Sequence, residues 1–589
     1  MLSFKTRKPR DVGSGDIPEA GRGGLAADRG CDRDQPAHSA VRLPGEYESG
    51  RGRKLCRHLS AGPPDRHPRR RSAAQCRGGD VAGGLAGCPE WSGRHHECDR
   101  GRPLPLSQTP PHADRQAQPG ASDPCYDGAV VVMTDYTRQL SEWAAGLRYE
   151  DIPDDCIAMA KEQLHNVLGA IFLSTEAESA RNLIAAVQDY EAAGPCTVIG
   201  TGEKMTPVGA AVVNSFAAQL FEYEDWVLAS HAGASVLPTA LAVGEAAGSD
   251  GRAVLTAIVI GNELAGRTGR AILRGAYLGN SLPNHQVDTS FIASKLLGLD
   301  AEGFENAVGL SCFMAMESCP VGFLTDAKGL INSLPAQVGI TTAYMARRGL
   351  KGSRGTIEHP AGYLWTVSED VDLTQLTVGL GEDWVIRSLR SKPYPICGYN
   401  IAAIEGALIL RRRHNIDPAQ IDSVTVYAPA STLFAGTRFH SLQPDVFTQY
   451  EQGCVTHMPL LFDVPYPVAA ALYDGTLTPD QFAHEKIMDQ AIRDLASRVT
   501  LRVDEGLNTA YYNQFKFGSR IEITLKSGAH LVETVEDMPG SPANPFDVRE
   551  KFIRGATRFM SQERAQEASA LIDRLETSDV RMLMAALCR

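Results

Sequence analysis

Residues 153–172 read Pro-Asp-Asp-Cys-Ile-Ala-Met-Ala-Lys-Glu-Gln-Leu-His-Asn-Val-Leu-Gly-Ala-Ile-Phe. Ile157, Ala160, Leu164, Leu168 and Ile171 recur there at three- and four-residue steps. That spacing predicts a helix with one apolar stripe facing a core, and Asp154 is a candidate cap at its start. The same period returns downstream. Pro207 opens a helix through Ala210, Val213, Ala217 and Leu220 towards Trp226, and further helices are predicted over 251–272, 289–297, 301–316 and 335–348. These segments are rich in Ala and Gly, which lets helices approach closely in a large all-helical domain with short connections.

Further along, beyond about Ser388, the pattern mixes. Ile401 to Arg412 reads as a helix ending in a basic turn, as the helix dipole favours. Residues 423–427 (Ser-Val-Thr-Val-Tyr) and 499–503 (Val-Thr-Leu-Arg-Val) alternate like half-buried strands. Residues 520–525 and 531–535 flank Ser527-Gly528 and read as a hairpin. Helical text returns at 465–472 and from Val548 to the C-terminus. The fold expected is mainly α: an all-helical domain over 133–388, a smaller α+β domain over 389–540, and a C-terminal helical segment over 541–589. A cleft between the two domains is the natural place for a small-molecule site.

Upstream, residues 1–132 differ in character, being crowded with Arg, Gly, Pro, His and Cys without sustained periodicity, as in His67-Pro68-Arg69-Arg70-Arg71. They are read as an extension without selected structure, with Met133 as the expected start. The competing readings are a basic arm for nucleic acid or membrane, and a zinc module using Cys88, His95, His96 and Cys98, which lacks a second paired half. Over the whole chain, 43% hydrophobic and 22% charged residues describe a soluble globular protein. A net charge of -12 argues against nucleic acid as the main partner. No apolar run spans a bilayer, and the thirteen cysteines are read as reduced thiols in the cytoplasm.

Several local phrases stand in a telling order: Asn214-Ser215, then Glu222-Tyr223-Glu224-Asp225, then His231; Gly261, Glu263 and Arg267; Lys295 to Asp300; Lys392-Pro393-Tyr394-Pro395-Ile396-Cys397; and Gly540 to Pro545 followed by Lys551-Phe552. In this order the chain from Met133 to Arg589 resembles the MmgE/PrpD family, which includes 2-methylcitrate dehydratases, cis-aconitate decarboxylase and an iminodisuccinate epimerase. The resemblance implies a homodimer with no metal or organic cofactor, and an active site between a helical and an α+β domain.

Removing a proton beside a carboxylate needs a base and cationic or hydrogen-bonding groups for the developing charge. His231 is the expected base, following the acidic run Glu222, Glu224 and Asp225, from which a carboxylate could orient its ring. A capping or core histidine is the plainer alternative. Lys392, at the head of a segment held extended by Pro393 and Pro395, is the expected substrate anchor, against a surface lysine. Cys397 is read as catalytic or as a buried structural thiol, and Tyr399 as a proton donor or a packing residue. By the resemblance, Lys328 attracts an anionic substrate and His285 falls near the family's second histidine, while Asp225 belongs to the substrate-binding acidic run. Glu263 and Arg267 are expected to form a buried structural pair.

There are departures from the family's pattern. Trp226 stands where a threonine is usual, Glu222 replaces an Asp, and Gln337, Ile331, Gly398 and Ile401 hold positions that are basic or histidine in relatives. The expectation is therefore a cofactor-free lyase or isomerase acting on a small carboxylic acid, less highly charged than 2-methylcitrate or cis-aconitate. The alternative is a catalytically silent relative that binds or scaffolds. An iron–sulfur hydro-lyase is disfavoured because Cys312, Cys319, Cys397 and Cys454 lack cluster spacing.

Overall fold

The computed structural model describes residues 134–588, apart from 229, 273–283, 317 and 434–444. The N-terminal segment, with its proposed start at Met133 and its zinc candidates, lies outside the described residues.

Among the described residues the first half is carried mainly by the helices α1 (Tyr136–Gly146), α2 (Asp154–Thr175), α3 (Glu178–Tyr190), α4 (Pro207–Gln219), α5 (Gly233–Ala247), α6 (Gly251–Ala271), α7 (His285–Leu296), α8 (Ala301–Ser311) and α9 (Leu330–Arg347). Helix α2 forms where its period predicts, but Asp154 does not cap it. Pro153 holds the cap position without a side-chain bond, and Asp154 and Asp155 lie in the first turn, where the helix dipole favours negative charge. From Gln163 onward α2 is buried all round, so it is a central helix rather than a surface one with a single stripe. Thr206 and Asp250 cap α4 and α6 through hydrogen bonds to backbone N–H groups. Glycine permits the close packing expected: a Cβ on Gly339 of α9 would meet the backbone of Ser290 in α7 at 2.6 Å.

Some boundaries differ from expectation. Helix α9 begins at Leu330 and runs through Pro335, α7 begins already at His285, and α5, with Pro238 inside it, forms where the sequence predicts no helix. Helix α8 stops at Ser311, and Phe313 beyond it is 81% exposed, so the apolar text there does not continue the buried face.

The second half holds a four-stranded sheet built from β1 (Ile421–Ala428), β2 (Val499–Val503), β3 (Ser519–Leu525) and β4 (His530–Val535), in the order β2-β1-β3-β4. The β1–β2 pair is parallel and the others antiparallel. Strands β3 and β4 form the expected hairpin, with Gly528 at φ 87° in its turn, a backbone angle that favours glycine. The helix Ile401–His414 covers the sheet, and Gly406 makes room for Ile521.

The chain then returns to the first half. The helix Val548–Ala556 lies along α2, with Gly169 facing the backbone of Lys551 and Phe552, and Gly555 facing the carbonyl of Gly169. Phe552, Phe559, Ile572 and Leu583 thereby join the core of the helical half. Among the described residues, no helix is long and apolar enough to cross a membrane.

Candidate functional site

Helix α4 delivers the acidic run. After Gln219 the chain turns through Glu222, whose φ of 51° is left-handed and disfavoured for a residue with a Cβ. Gln219 donates from Nε2 to the Glu222 carboxylate at 2.9 Å. Asp225 and Trp226 then form a short antiparallel ladder with Arg390 and Ser391, and the Lys392 N–H donates to the Glu224 carbonyl at 3.1 Å. This ladder brings the acidic run from the helical half against the Lys-Pro-Tyr-Pro segment.

The result is a closed ionic cluster. Lys392 Nζ lies 2.8 Å from Glu222 and 3.0 Å from Glu224. Lys328 Nζ pairs with the other oxygen of Glu222, and His231 Nδ1 bonds the Glu224 oxygen that also meets Lys392. Glu222, Glu224, Lys328 and Lys392 are all at most 2% exposed, and His231 is 7% exposed. Burial opposes ionisation of both carboxylates, yet the neighbouring cations prevail and hold Glu222 and Glu224 below the usual glutamate range. Burial likewise opposes the charge on Lys392, and the two glutamates outweigh it, keeping the ammonium protonated. Two carboxylates thus face two lysine side chains, with the His231 ring at one end of the cluster.

Further side chains support this arrangement. Asp225 is fully buried and accepts from the Gly233 N–H at 2.9 Å and from Gln163 at 3.2 Å. Burial pushes its carboxyl up to about 7. It thus anchors the start of α5 and does not meet the lysines. The backbone carbonyl of His231 accepts from Asn332 Nδ2 at 2.9 Å. Lys551, only 1% exposed, donates to Asn166 Oδ1 at 2.7 Å, to the Lys392 carbonyl at 3.1 Å and to the Tyr223 carbonyl. Its three acceptors tie α2, the acidic run and the Lys392 segment together.

Of the residues singled out from sequence, His231, Glu222, Lys328 and Lys392 meet in one cluster. Lys392 is neither a surface lysine nor an open anchor, since Glu222 and Glu224 already engage it. Cys397 lies near the cluster, buried, with its thiol pushed up to about 12 by that burial, so it is not a thiolate at neutral pH. Tyr399 packs against Tyr511 and Phe517 at ring distances of 6.2 and 5.6 Å. His285 Nδ1 lies 2.7 Å from Asp288 and 3.0 Å from Ser235 Oγ, all three fully buried. Glu263 and Arg267 form the buried pair expected, at 3.1 Å. The four cysteines weighed for an iron–sulfur centre divide into Cys312 and Cys397, buried, and Cys319 and Cys454, exposed.

Sequence reasoning missed Lys551 as a site residue. A signal existed: Val548, Lys551, Phe552, Gly555 and Ala556 fall on the buried face of one helix, and a lysine on such a stripe needs acceptors waiting for it. Donor atoms of Glu222, Glu224 and His231 lie within 4.8 Å of one another, which could hold a metal ion. Both carboxylates are engaged by ammonium groups, however, so a divalent cation would have to displace or face two positive charges. A cleft of about 840 Å³ reaches Pro393, Tyr394, Lys551 and Arg554 but is lined by none of Glu222, Glu224, His231 or Lys328.

The MmgE/PrpD N-terminal domain is matched over residues 138–376 and the MmgE/PrpD C-terminal domain over 394–577. The chain belongs to the MmgE/PrpD family. It is 25% identical over 461 residues to a cis-aconitate decarboxylase of Aspergillus terreus, covering 74% of this chain and 92% of that protein. A cis-aconitate decarboxylase-like protein of Aspergillus oryzae is 26% identical over 485 residues, covering 77% of this chain and 97% of its own length. The human cis-aconitate decarboxylase is 24% identical over 477 residues, covering 76% and 93%. The ladder joining Asp225-Trp226 to Arg390-Ser391 therefore links residues of the family's N-terminal domain to the segment just before its C-terminal domain.

Proposed function

We propose that this MmgE/PrpD chain is a lyase that moves a proton at the carbon beside a carboxylate of a small polycarboxylic acid, using its own side chains rather than a metal or organic cofactor. Family membership and the decarboxylases among its relatives support the lyase class. The observation that carries the proton-transfer reading is the buried line Lys392–Glu224–His231. Glu224 fixes the ring through Nδ1, so proton exchange with a substrate falls to Nε2. Lys392 holds Glu224 ionised, and Glu224 in turn stabilises the imidazolium formed when the ring takes a proton.

The same geometry serves either direction of proton transfer. In a dehydration, Nε2 removes the proton beside the carboxylate, the electron pair forms the new double bond, and hydroxide leaves from the adjacent carbon. In a decarboxylation, the bond to the departing carboxylate breaks, CO2 leaves, and the imidazolium returns a proton to carbon. A substrate carboxylate competes with Glu222 for Lys328 and Lys392, the lysines of the cluster. The test is solvent deuterium exchange into a panel of di- and tricarboxylic acids, followed by NMR. Exchange beside a carboxylate that disappears in His231→Gln is the expected result, whereas no exchange with any acid would make the chain a silent relative.

A further inference from the structure

Gly398 poses a question that its backbone does not answer. It opens a short 3-10 turn, Gly398–Asn400, and is absent from the glycines with positive φ, so any L-residue could adopt its conformation. What excludes a side chain is Trp226. A Cβ built on Gly398 would lie within 3.0 Å of two carbons of the indole. The indole therefore fills the space into which a residue at 398 would extend.

That indole faces the reacting cluster. It is 6% exposed, with its ring centre 5.7 Å from Lys392 Nζ and 6.4 Å from the His231 ring. Phe517 packs edge-on against it at 5.4 Å. The neighbouring positions Ile396, Cys397 and Ile401 are buried and uncharged. One side of the cluster is thus an apolar wall, while both lysines are already matched by glutamates.

We propose that Trp226 and Gly398 form a joint specificity element, which receives an uncharged alkyl part of the substrate and rejects a third carboxylate. The inference rests on the His231 cluster being the reaction site. Each bulky group at one position requires smallness at the other, so the pair acts as one unit. A carboxylate pressed against the carbon face of the indole loses water and gains no donor from that face. Discrimination on the order of 100-fold follows for a charge left unpaired in such a place.

The experiment measures deuterium exchange for methylsuccinate and 2-methylmalate, which carry a methyl group and two carboxylates, beside citrate and cis-aconitate. The wild type is expected to exchange the methyl-bearing diacids at least 10-fold faster. Trp226→Phe keeps an apolar wall and should keep that preference. Gly398→Arg alone places a side chain into the indole and should lower exchange of every acid. Adding Trp226→Ala opens room for the guanidinium, so the double variant should recover exchange and favour tricarboxylates through paired hydrogen bonds. Equal exchange of both classes by the wild type, or a folded Trp226→Ala/Gly398→Arg variant with unchanged preference, overturns the wall. Exchange that survives His231→Gln, or no exchange at all, overturns the site reading beneath it.

Discussion

His231 is where the chemistry of the cluster narrows to one atom. Its Nδ1 is committed to Glu224, and Glu224 is committed to Lys392. Replacing His231 by Gln removes the proton carrier while retaining a side chain that can still meet Glu224. Turnover of the best substrate should fall by roughly 10² to 10⁴ with thermal stability nearly unchanged; a variant with near-normal kcat would show that another group moves the proton. Asp225 offers a separate test through pH. Its folded carboxyl is pushed up to about 7, chiefly by burial, whereas an unfolded aspartate titrates near ~3.9. The folded state therefore holds the extra proton between these values, and the associated stability is present at low pH and lost as pH rises through about 7. Asp225→Asn removes this dependence, so the Tm difference between variant and wild type should move in the variant's favour from pH 5 to pH 8. A difference that stays flat would mean that Asp225 is ionised throughout.

At the scale of elements, the helix Val548–Ala556 shapes the ionic cluster from outside it. It presents Lys551 to three acceptors drawn from three segments, which is as many as an ammonium has N–H donors. Burial drives Lys551 well below the usual lysine range, against the pull of Asp225 and Glu224. Lys551→Met keeps much of the shape but leaves acceptors bare, at a cost of roughly 1–3 kcal/mol for each that finds no water. As a positioning residue, Lys551 should also affect chemistry: kcat should fall more than KM changes, and the pH–rate profile should shift as Lys392 moves relative to Glu224. Loss of stability with an unchanged profile would reduce Lys551 to packing. Elements with a clear cap and an unbroken period, such as α4 and α6, were legible in sequence. Helix α5 was not, because Pro238 interrupts the pattern, and Pro335 likewise hides the true start of α9 at Leu330. Within the site, the acidic run, His231, Lys328 and Lys392 were legible as phrases. Lys551 was legible only as a charge on an apolar stripe, and the contact of Trp226 with Gly398 not at all, since their partners depend on which distant segments the fold lays side by side.

At the scale of the molecule, the two family domains are fastened by segments that cross between them. The Asp225-Trp226 ladder, onto the segment just before the C-terminal domain, is one such fastening, and the C-terminal return of the chain onto α2 is another. The second fastening depends on two small residues. Gly169 and Gly555 let the helix backbones come so close that a Cβ on Gly555 would meet the Gly169 carbonyl at 2.8 Å and the Phe172 Cβ at 3.0 Å. Because Lys551 stands one helical turn before Gly555, displacing this helix outward also withdraws the ammonium from the Tyr223 and Lys392 carbonyls. Gly555→Val should accordingly act at two distances. Overpacking of a filled interface costs about 1–3 kcal/mol, which should appear as a lower Tm. Activity should fall as well at temperatures where the variant remains folded, although residue 555 belongs to no part of the ionic cluster. Gly555→Ala, the smaller intrusion, should lie between wild type and Gly555→Val in both measurements. If Tm falls in that order while kcat stays constant, the C-terminal helix braces the helical core without setting the geometry around Lys392.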